Sequence, residues 1–246
     1  LSTTKGDIAA LNDNNLDEAS IPFLAEQIAI FSGFRKKPII VSNACVSGAL
    51  ALATAKRLIQ TEMITEAFVI GIDEVTEFVV SGFNSFQAMS SEPCTPYDAN
   101  RKGVNLGEAV AAAYVSANDP KESSIEIVGD GAISDANHIS GPSRTGEGLY
   151  QSILSALKEA DIESSAIDYI SSHGTATIYN DEMEAIAFDR LQLNKVPVSS
   201  LKGYFGHTLG ASGLLETVIT CQMMTPSLHI SPVLLPLGII PPKWLI

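Results

Sequence analysis

The chain has 246 residues, a length sufficient for one large or two modest domains. Of these residues 46% are hydrophobic and 17% are charged, a composition far from that of disordered proteins. Its formal net charge of −13 argues against nucleic acid as a partner, because phosphate binding needs a basic surface. The three cysteines, at positions 45, 94 and 221, form no CxxC pair, so we expect free thiols and a cytoplasmic protein. The apolar tail at 231–246 contains prolines and is too short to cross a bilayer, so we expect no membrane contact.

Short β-branched runs alternate with helical stretches, which predicts an α/β architecture with mostly parallel sheets. In chain order we expect a strand at 38–42, a helix at 47–61, strands at 66–71, 109–116 and 124–133, a helix at 146–160, a strand at 167–172, a helix at 180–191, a strand at 196–200 and a helix at 213–224. A polar stretch at 117–123 separates two strand-like runs. It predicts a boundary between an N-terminal half, 1–118, and a C-terminal half, 119–246, each with the order strand, glycine-bearing turn, helix and strand.

Cys45 lies among small residues that join a predicted strand to a predicted helix. The segment at 42–48 reads Ser-Asn-Ala-Cys-Val-Ser-Gly. A thiol at a helix N-terminus faces the positive end of the helix dipole, which favours the thiolate, and small neighbours permit a sharp turn that exposes the sulfur. A lone cysteine is more often a buried structural residue, but the turn and two histidine motifs favour a nucleophile.

His173 and His207 each follow a strand-like run and lie in a glycine-bearing motif. His173 opens His-Gly-Thr-Ala-Thr at 173–177, at the C-terminal edge of a predicted strand, where α/β proteins bind ligands. His207 is flanked by glycines that permit a close approach of backbone to ligand. Each motif alone is equally consistent with an incidental histidine. Together with Cys45 they predict one thiol-based active site.

Three charged residues lie near these motifs. Asp181 is in the first turn of a predicted helix, where an acidic side chain is favourable against the helix dipole without any further role. Lys202 lies in an otherwise apolar, glycine-rich stretch. Either a buried ion pair with Glu184 or an exposed lysine is consistent with that pattern.

Two other classes of site use the same residue types. Zinc sites usually bring at least two ligands close together in sequence, whereas Cys45, His173 and His207 are far apart, so we expect no metal. A Cys–His hydrolase is also compatible with these residues, although the chain has neither a papain-like signature nor a GxSxG-type motif.

Taken in chain order, the motifs around Cys45, His173, Lys202 and His207 resemble those of the β-ketoacyl-acyl-carrier-protein synthases of the elongating, two-histidine type, members of the thiolase superfamily. The stretch at 96–108 resembles a further signature of that family. The resemblance implies a thiolase-like, layered α-β-α-β-α fold of two similar halves. We expect this chain to be a fragment that is incomplete at both termini, without the family's first strand–helix unit and its C-terminal glycine- and phenylalanine-rich loop.

The resemblance also implies a reaction. Cys45 would take an acyl chain as a thioester, malonyl-carrier protein would lose CO2, and the resulting carbanion would attack the acyl group. His173 and His207 would donate N–H groups to the malonyl thioester oxygen. Lys202, Glu184 and Asp181 match the family's supporting charged network, and Phe83 is assigned to the acyl pocket.

The implied partners are acyl carrier protein and a second subunit, as a homodimer or a heterodimer of related chains. No cofactor is implied beyond the phosphopantetheine of the carrier, and the pathway is fatty acid or polyketide/polyene synthesis. The runner-up is a non-catalytic partner subunit, like the chain-length factors, but those replace the nucleophile. A degradative thiolase would need a second cysteine in a glycine-rich C-terminal motif, which neither Cys94 nor Cys221 provides.

Overall fold

The protein is described by a computed structural model that covers residues 1–13, 15–118, 124–135 and 141–224. Its helices are α1 (Ile21–Phe31), α2 (Ser47–Gln60), α3 (Glu77–Ser85), α4 (Glu147–Ala160), α5 (Ile178–Arg190), α6 (Lys202–Phe205) and α7 (Ser212–Met224), with short 3-10 helices at Ile8–Asp13, Ser164–Ala166 and Leu209–Ala211. Its strands are β1 (Glu66–Asp73), β2 (Ala109–Ser116), β3 (Ile170–Ser171) and β4 (Val198–Ser199). The predicted boundary at 117–123 lies partly, and the tail at 231–246 wholly, outside the described residues. No described helix is long and apolar enough to span a membrane.

The four predicted helices are present as α2, α4, α5 and α7, with ends within two residues of the predicted ones. Helix α1 was not predicted, although its start carries a recognisable signal. The hydroxyl of Ser20 caps it by accepting a hydrogen bond from Phe23 N at 3.2 Å, and Pro22 lies in the first turn, a combination typical of helix N-termini.

Two compact units are formed from interleaved parts of the chain. The first consists of Leu1–Ser85, Leu106–Asn118 and His207–Val218, and the second of Phe86–Asn105, Asp119–Gly206 and Ile219–Ile246. Both units draw on both sequence halves. The division into halves 1–118 and 119–246 stays a prediction.

In the first unit, strands β1 and β2 pair antiparallel, with Glu66 opposite Ser116 and Asp73 opposite Ala109. The expectation of mostly parallel sheets is therefore wrong for this pair, because β2 runs back along β1 after the connection that contains α3. One face of β1, including Val69, is buried, and helix α2 packs against the strand pair.

The strand expected at 38–42 is reduced to an isolated parallel bridge between Ser2 and Val41. Leu1 N donates to Ile39 O and Val41 N donates to Leu1 O, each at 2.8 Å. Among the described residues, this pairing is a single bridge and not a ladder. Ser2 also forms a bridge with Gly71 of β1, so Ser2 lies between the segment at 38–42 and strand β1.

In the second unit, helices α4 and α5 enclose an apolar core. Its buried members are Leu157, Ile167, Phe188, Leu191 and Leu193. Strands β3 and β4 pair parallel, as expected, but each has two residues, so they are shorter than the predicted 167–172 and 196–200.

The strand predicted at 124–133 is not present. This segment instead lies along helix α4, where Ser152 Oγ donates to Gly131 O at 2.7 Å and Asp130 N donates to Glu159 Oε2 at 2.8 Å. A Cβ on Gly131 would lie 1.9 Å from Ser152 O, so only glycine permits this approach. Contact with a helix, rather than a strand partner, explains why the β-branched pattern was misleading.

Candidate active site

The backbone around Cys45 forms a tight turn that leads into helix α2. Ala44 adopts a left-handed conformation with φ of 47°, which costs a residue with a Cβ roughly 1–2 kcal/mol. The hydroxyl of Ser47 holds the turn by accepting a hydrogen bond from Asn43 N at 2.7 Å and donating one to Ala44 O at 2.6 Å. The side chain of Cys45 is partly exposed, two residues before the helix.

Helix α2 begins in close contact with the start of helix α7. A Cβ on Gly48 would lie 2.4 Å from Leu214 N, and one on Gly213 would lie 2.8 Å from the backbone of α2. Both distances are too short for any residue other than glycine. These two glycines therefore allow the turn that carries Cys45 to lie against the segment that follows His207.

His207 is buried, with 2% of its surface exposed, and its ring links Cys45 to the backbone. Nε2 lies 2.9 Å from Sγ of Cys45, and Nδ1 accepts a hydrogen bond from Leu209 N at 3.1 Å. A ring nitrogen that accepts has no hydrogen, so the neutral imidazole carries its proton on Nε2. The ring therefore presents an N–H donor that can stabilise negative charge on sulfur or on a substrate oxygen.

Further contacts within the first unit fix the position of His207. Its carbonyl accepts a hydrogen bond from Gly107 N at 3.1 Å. The ring of Phe83 meets the imidazole edge-on, with centroids 6.1 Å apart and planes at 76°. Phe83 thus borders the thiol–imidazole pair, and its assignment to the acyl pocket stays a prediction.

In the second unit, His173 follows strand β3 and its backbone is held by a buried carboxylate. Glu184 accepts hydrogen bonds from His173 N at 2.8 Å and from Gly174 N at 2.7 Å. Gly174 has φ of 41° and Ala176 has φ of 58°, so the chain turns tightly around the carboxylate. Glu184 is therefore a support for the histidine loop.

Asp181, one helical turn before Glu184, supports the rest of that loop. It accepts hydrogen bonds from Thr175 N and Ala176 N, each at 3.1 Å. It also accepts one from Tyr97 N at 2.8 Å, and Arg101 Nε lies 3.5 Å from it. The position of Asp181 in the first helical turn predicts only a favourable contact with the helix dipole. In the structure its carboxylate also accepts hydrogen bonds from three backbone N–H groups.

In the sequence, Tyr97 and Arg101 are distinguished only by lying in the stretch at 96–108 that resembles a family signature. The hydroxyl of Tyr97 donates to Glu184 Oε2 at 2.9 Å, and the guanidinium of Arg101 donates to Ile178 O at 3.0 Å. These contacts join the stretch at 96–101 to helix α5. No local pattern shows this, because the partners are about eighty positions apart.

Burial governs the ionisation of the carboxylates in this network. It raises the pKa of Glu184, although the hydrogen bonds that the carboxylate accepts and the nearby charge of Lys202 oppose the shift. Burial likewise raises the pKa of Asp181, and burial together with the Glu184 charge raises the pKa of Tyr97. Lys202 has 1% of its surface exposed, which excludes the alternative of an exposed lysine.

The other two thiols are less suited to nucleophilic chemistry than Cys45. Cys94 is buried, and its Sγ lies 3.6 Å from Thr175 O. Burial raises the pKa of both Cys94 and Cys221, which keeps these thiols protonated.

The predicted site residues fall into two groups. In the first unit the structure brings together Cys45, His207 and Phe83, and in the second unit it brings together His173, Asp181 and Glu184.

Comparison with known proteins agrees with this chemistry. The family profile described as "Beta-ketoacyl synthase, N-terminal domain" matches residues 5–119, and that described as "Beta-ketoacyl synthase, C-terminal domain" matches residues 125–232. The chain is 32% identical over 217 residues to 3-oxoacyl-[acyl-carrier-protein] synthase 2 of Rhizobium meliloti, covering 81% of this chain and 51% of the relative. It thus spans about half the length of the curated relatives it matches.

Two solved structures are similar to the chain. A ketosynthase from Xenorhabdus doucetiae, solved in complex with its chain length factor, is 31% identical with a TM-score of 0.77 over 82% of this chain and 50% of that one. A β-ketoacyl synthase from Burkholderia phymatum is 29% identical with a TM-score of 0.79 over 91% of this chain and 60% of that one. These neighbours confirm the thiolase-like fold class, and with both family profiles matched, the chain belongs to the β-ketoacyl synthase family.

Proposed function

We propose that the chain is the catalytic part of a 3-oxoacyl-[acyl-carrier-protein] synthase. The observation that carries the proposal is the 2.9 Å contact between Sγ of Cys45 and Nε2 of His207, in a tautomer that donates from Nε2. This pair provides a nucleophile and a donor for developing negative charge, which are the two requirements of acyl transfer between thioesters.

In the first half-reaction, the Cys45 thiolate attacks the carbonyl of an acyl thioester. A carbon–sulfur bond forms to Cys45, the bond to the carrier sulfur breaks, and the carrier leaves as a thiolate that takes up a proton from solvent. The N–H of His207 and the helix N-terminus at α2 favour the thiolate that starts this step.

In the second half-reaction, malonyl-carrier protein replaces the released thiol. Its carbon–carboxylate bond breaks with loss of CO2, and the electron pair moves onto the thioester as an enolate. We propose that His207 and His173 each donate an N–H to the enolate oxygen. The α-carbon then attacks the acyl carbonyl, and Cys45 leaves as a thiolate.

The charged residues of the second unit have a supporting role in this proposal. Glu184 and Asp181 hold the backbone of the His173 loop through the hydrogen bonds described above, and Lys202 offsets the charge of Glu184. None of them reacts with the substrate. Their function is to orient His173.

The proposed partners follow from the relatives. The substrates would be carried on the phosphopantetheine of acyl carrier protein, with no metal or other cofactor in the reaction, in fatty acid or polyketide synthesis. A second copy or a related subunit is proposed as the assembly partner, since the Xenorhabdus ketosynthase was solved with its chain length factor. The cytoplasmic location stays a prediction.

A chain-length-factor-like role is the alternative. Those subunits replace the nucleophile, whereas this chain has Cys45 in a turn held by the Ser47 hydroxyl. The reactive geometry therefore favours a catalytic subunit.

The test is acyl-enzyme formation, measured by intact mass after incubation with a panel of acyl thioesters. Cys45→Ala should abolish the mass increase, while Cys94→Ala and Cys221→Ala should retain it, because both of these thiols are held protonated by burial. Full labelling of Cys45→Ala would contradict the proposal. A chain that never loads, although Cys45 reacts with a small alkylating agent, would favour the non-catalytic alternative.

A further inference from the structure

A buried carboxylate in the first unit lies behind the thiol–imidazole pair. Asp73, the last residue of β1, has a fully buried side chain whose Oδ2 accepts hydrogen bonds from Gly210 N at 2.9 Å and from Thr4 N and Oγ1 at 2.9 and 2.7 Å. Its Oδ1 pairs with the buried ammonium of Lys5, which also donates to Glu74 O at 2.6 Å. A buried charge persists only when it is paired and fully hydrogen-bonded, and this carboxylate meets both conditions.

The contact with Gly210 matters because Gly210 belongs to the turn that follows His207. The backbone of Leu209 in this turn is left-handed, with φ of 52°, and its N–H donates a hydrogen bond to Nδ1 of His207. A residue with a Cβ keeps such a conformation only where its surroundings impose it. The hydrogen bond from Gly210 N to Asp73 restrains the peptide unit directly after Leu209.

Packing shows that this turn lies directly on the carboxylate. A Cβ on Gly210 would be 2.7 Å from Thr3 Cα and 2.9 Å from Oδ2 of Asp73. A carboxylate has two oxygens with about four acceptor sites, so it can accept hydrogen bonds from Gly210, Thr4 and Lys5 at the same time. A hydroxyl at this position would have only one oxygen to accept them.

We propose that Asp73 is a positioning residue for His207. By anchoring Gly210 it keeps the N–H of Leu209 on Nδ1, and the proton of the neutral imidazole therefore stays on Nε2, facing Cys45. The use of that proton in condensation rests on the proposed function. The tautomer itself is a property of the chain that can be read without any substrate.

The experiment compares the His207 tautomer by two-bond 1H–15N NMR in the unmodified chain and in Asp73→Ala, with His207→Ala to assign the resonances. The unmodified chain should show a single Nε2–H tautomer. Asp73→Ala should show a mixture of tautomers, and alkylation of Cys45 by iodoacetamide should slow by roughly tenfold, as expected for loss of one hydrogen bond to a charged group.

The matched control is Val69→Ala. Val69 is buried on the same strand, so its truncation lowers stability without removing a hydrogen-bonding group. A folded Asp73→Ala chain that keeps the Nε2–H signature would overturn the proposal, and so would an equal change in Val69→Ala. Asp73→Asn, which retains an acceptor oxygen for Gly210, should restore the tautomer.

A second variant covers the case in which Asp73→Ala does not fold. Gly210→Ala keeps the carboxylate but displaces the turn, so it should lose the single tautomer in the same way, and retention of that tautomer would refute the positioning role. These NMR experiments test the role of Asp73 separately from the proposed condensation reaction. A chain with the expected NMR changes but no acyl loading would refute the condensation while leaving the role of Asp73 intact.

Discussion

Glu184 accepts a hydrogen bond from the backbone N–H of His173 at 2.8 Å. Its second oxygen accepts from Gly174 N at 2.7 Å, and Asp181, one turn earlier on α5, accepts from the next two backbone N–H groups. The histidine motif is therefore built on two buried carboxylates of one helix. Its orientation depends on residues that never need to touch a substrate.

This arrangement gives Glu184 a pH-dependent contribution to stability. Burial raises its pKa above the ordinary value of 4.5, so the unfolded chain releases this proton at lower pH than the folded chain does. The stability that Glu184 contributes is thus present below that value and is lost as the pH rises through the folded-state pKa. Glu184→Gln removes the titration, so its unfolding free energy should fall less steeply than that of the unmodified chain as the pH rises above 4.5.

The measurement is urea unfolding from about pH 4 to about pH 8, a range that begins near the ordinary carboxyl pKa and extends above it. The variant should also be less stable by about 1–3 kcal/mol near neutral pH, because an amide accepts through one oxygen and leaves a buried N–H unpaired. Glu182→Gln is the control, since the Glu182 side chain on the same helix is 60% exposed. Parallel pH profiles for Glu184→Gln and the unmodified chain would show that Glu184 does not titrate in this way.

The elements that could be predicted from the sequence are those that local patterns encode. Helix α4 is one example, because its apolar residues recur on one face and pack on the core that includes Leu157. The strand predicted at 124–133 is the opposite case, since a strand requires a partner strand and this segment instead contacts helix α4 through Asp130 and Gly131. Local pattern therefore located the helices better than the strands.

The same distinction applies to the candidate site. Cys45 and His207 could be selected because each lies in a motif of small residues that is visible in the local sequence. Asp73 and Lys5 could not, because a buried ion pair between positions 68 apart leaves no local trace. Tyr97 is similar, since its contact with Glu184 becomes visible only when the chain is folded.

A second prediction concerns the turn at Cys45. Ser47→Ala removes the hydroxyl that joins Asn43 N to Ala44 O, so it should lower the unfolding free energy by about 0.5–1.5 kcal/mol, the net contribution of a typical hydrogen bond. Alkylation of Cys45 should also slow, because the turn no longer holds the sulfur at the helix start. Iodoacetamide kinetics and urea unfolding measure the two effects.

The control for that prediction lies on the same helix. Thr54 donates from Oγ1 to Leu50 O at 2.7 Å, a bond within α2 that does not involve the turn. Thr54→Ala should therefore leave the alkylation rate of Cys45 unchanged. If both variants react at the rate of the unmodified chain, the Ser47 hydroxyl has no part in exposing the thiol.

The last prediction separates the two half-reactions. If His173 and His207 serve mainly to stabilise the enolate, His173→Ala and His207→Ala should each slow condensation roughly a hundredfold, the effect of losing one oxyanion-type donor, while loading of Cys45 slows much less. Intact-mass kinetics would follow loading, and release of CO2 from malonyl-carrier protein would follow decarboxylation. Because both donors are proposed to act on one oxygen, the double variant should lose less than the product of the single effects. A histidine variant that fails to load but decarboxylates at the normal rate would contradict this division of roles.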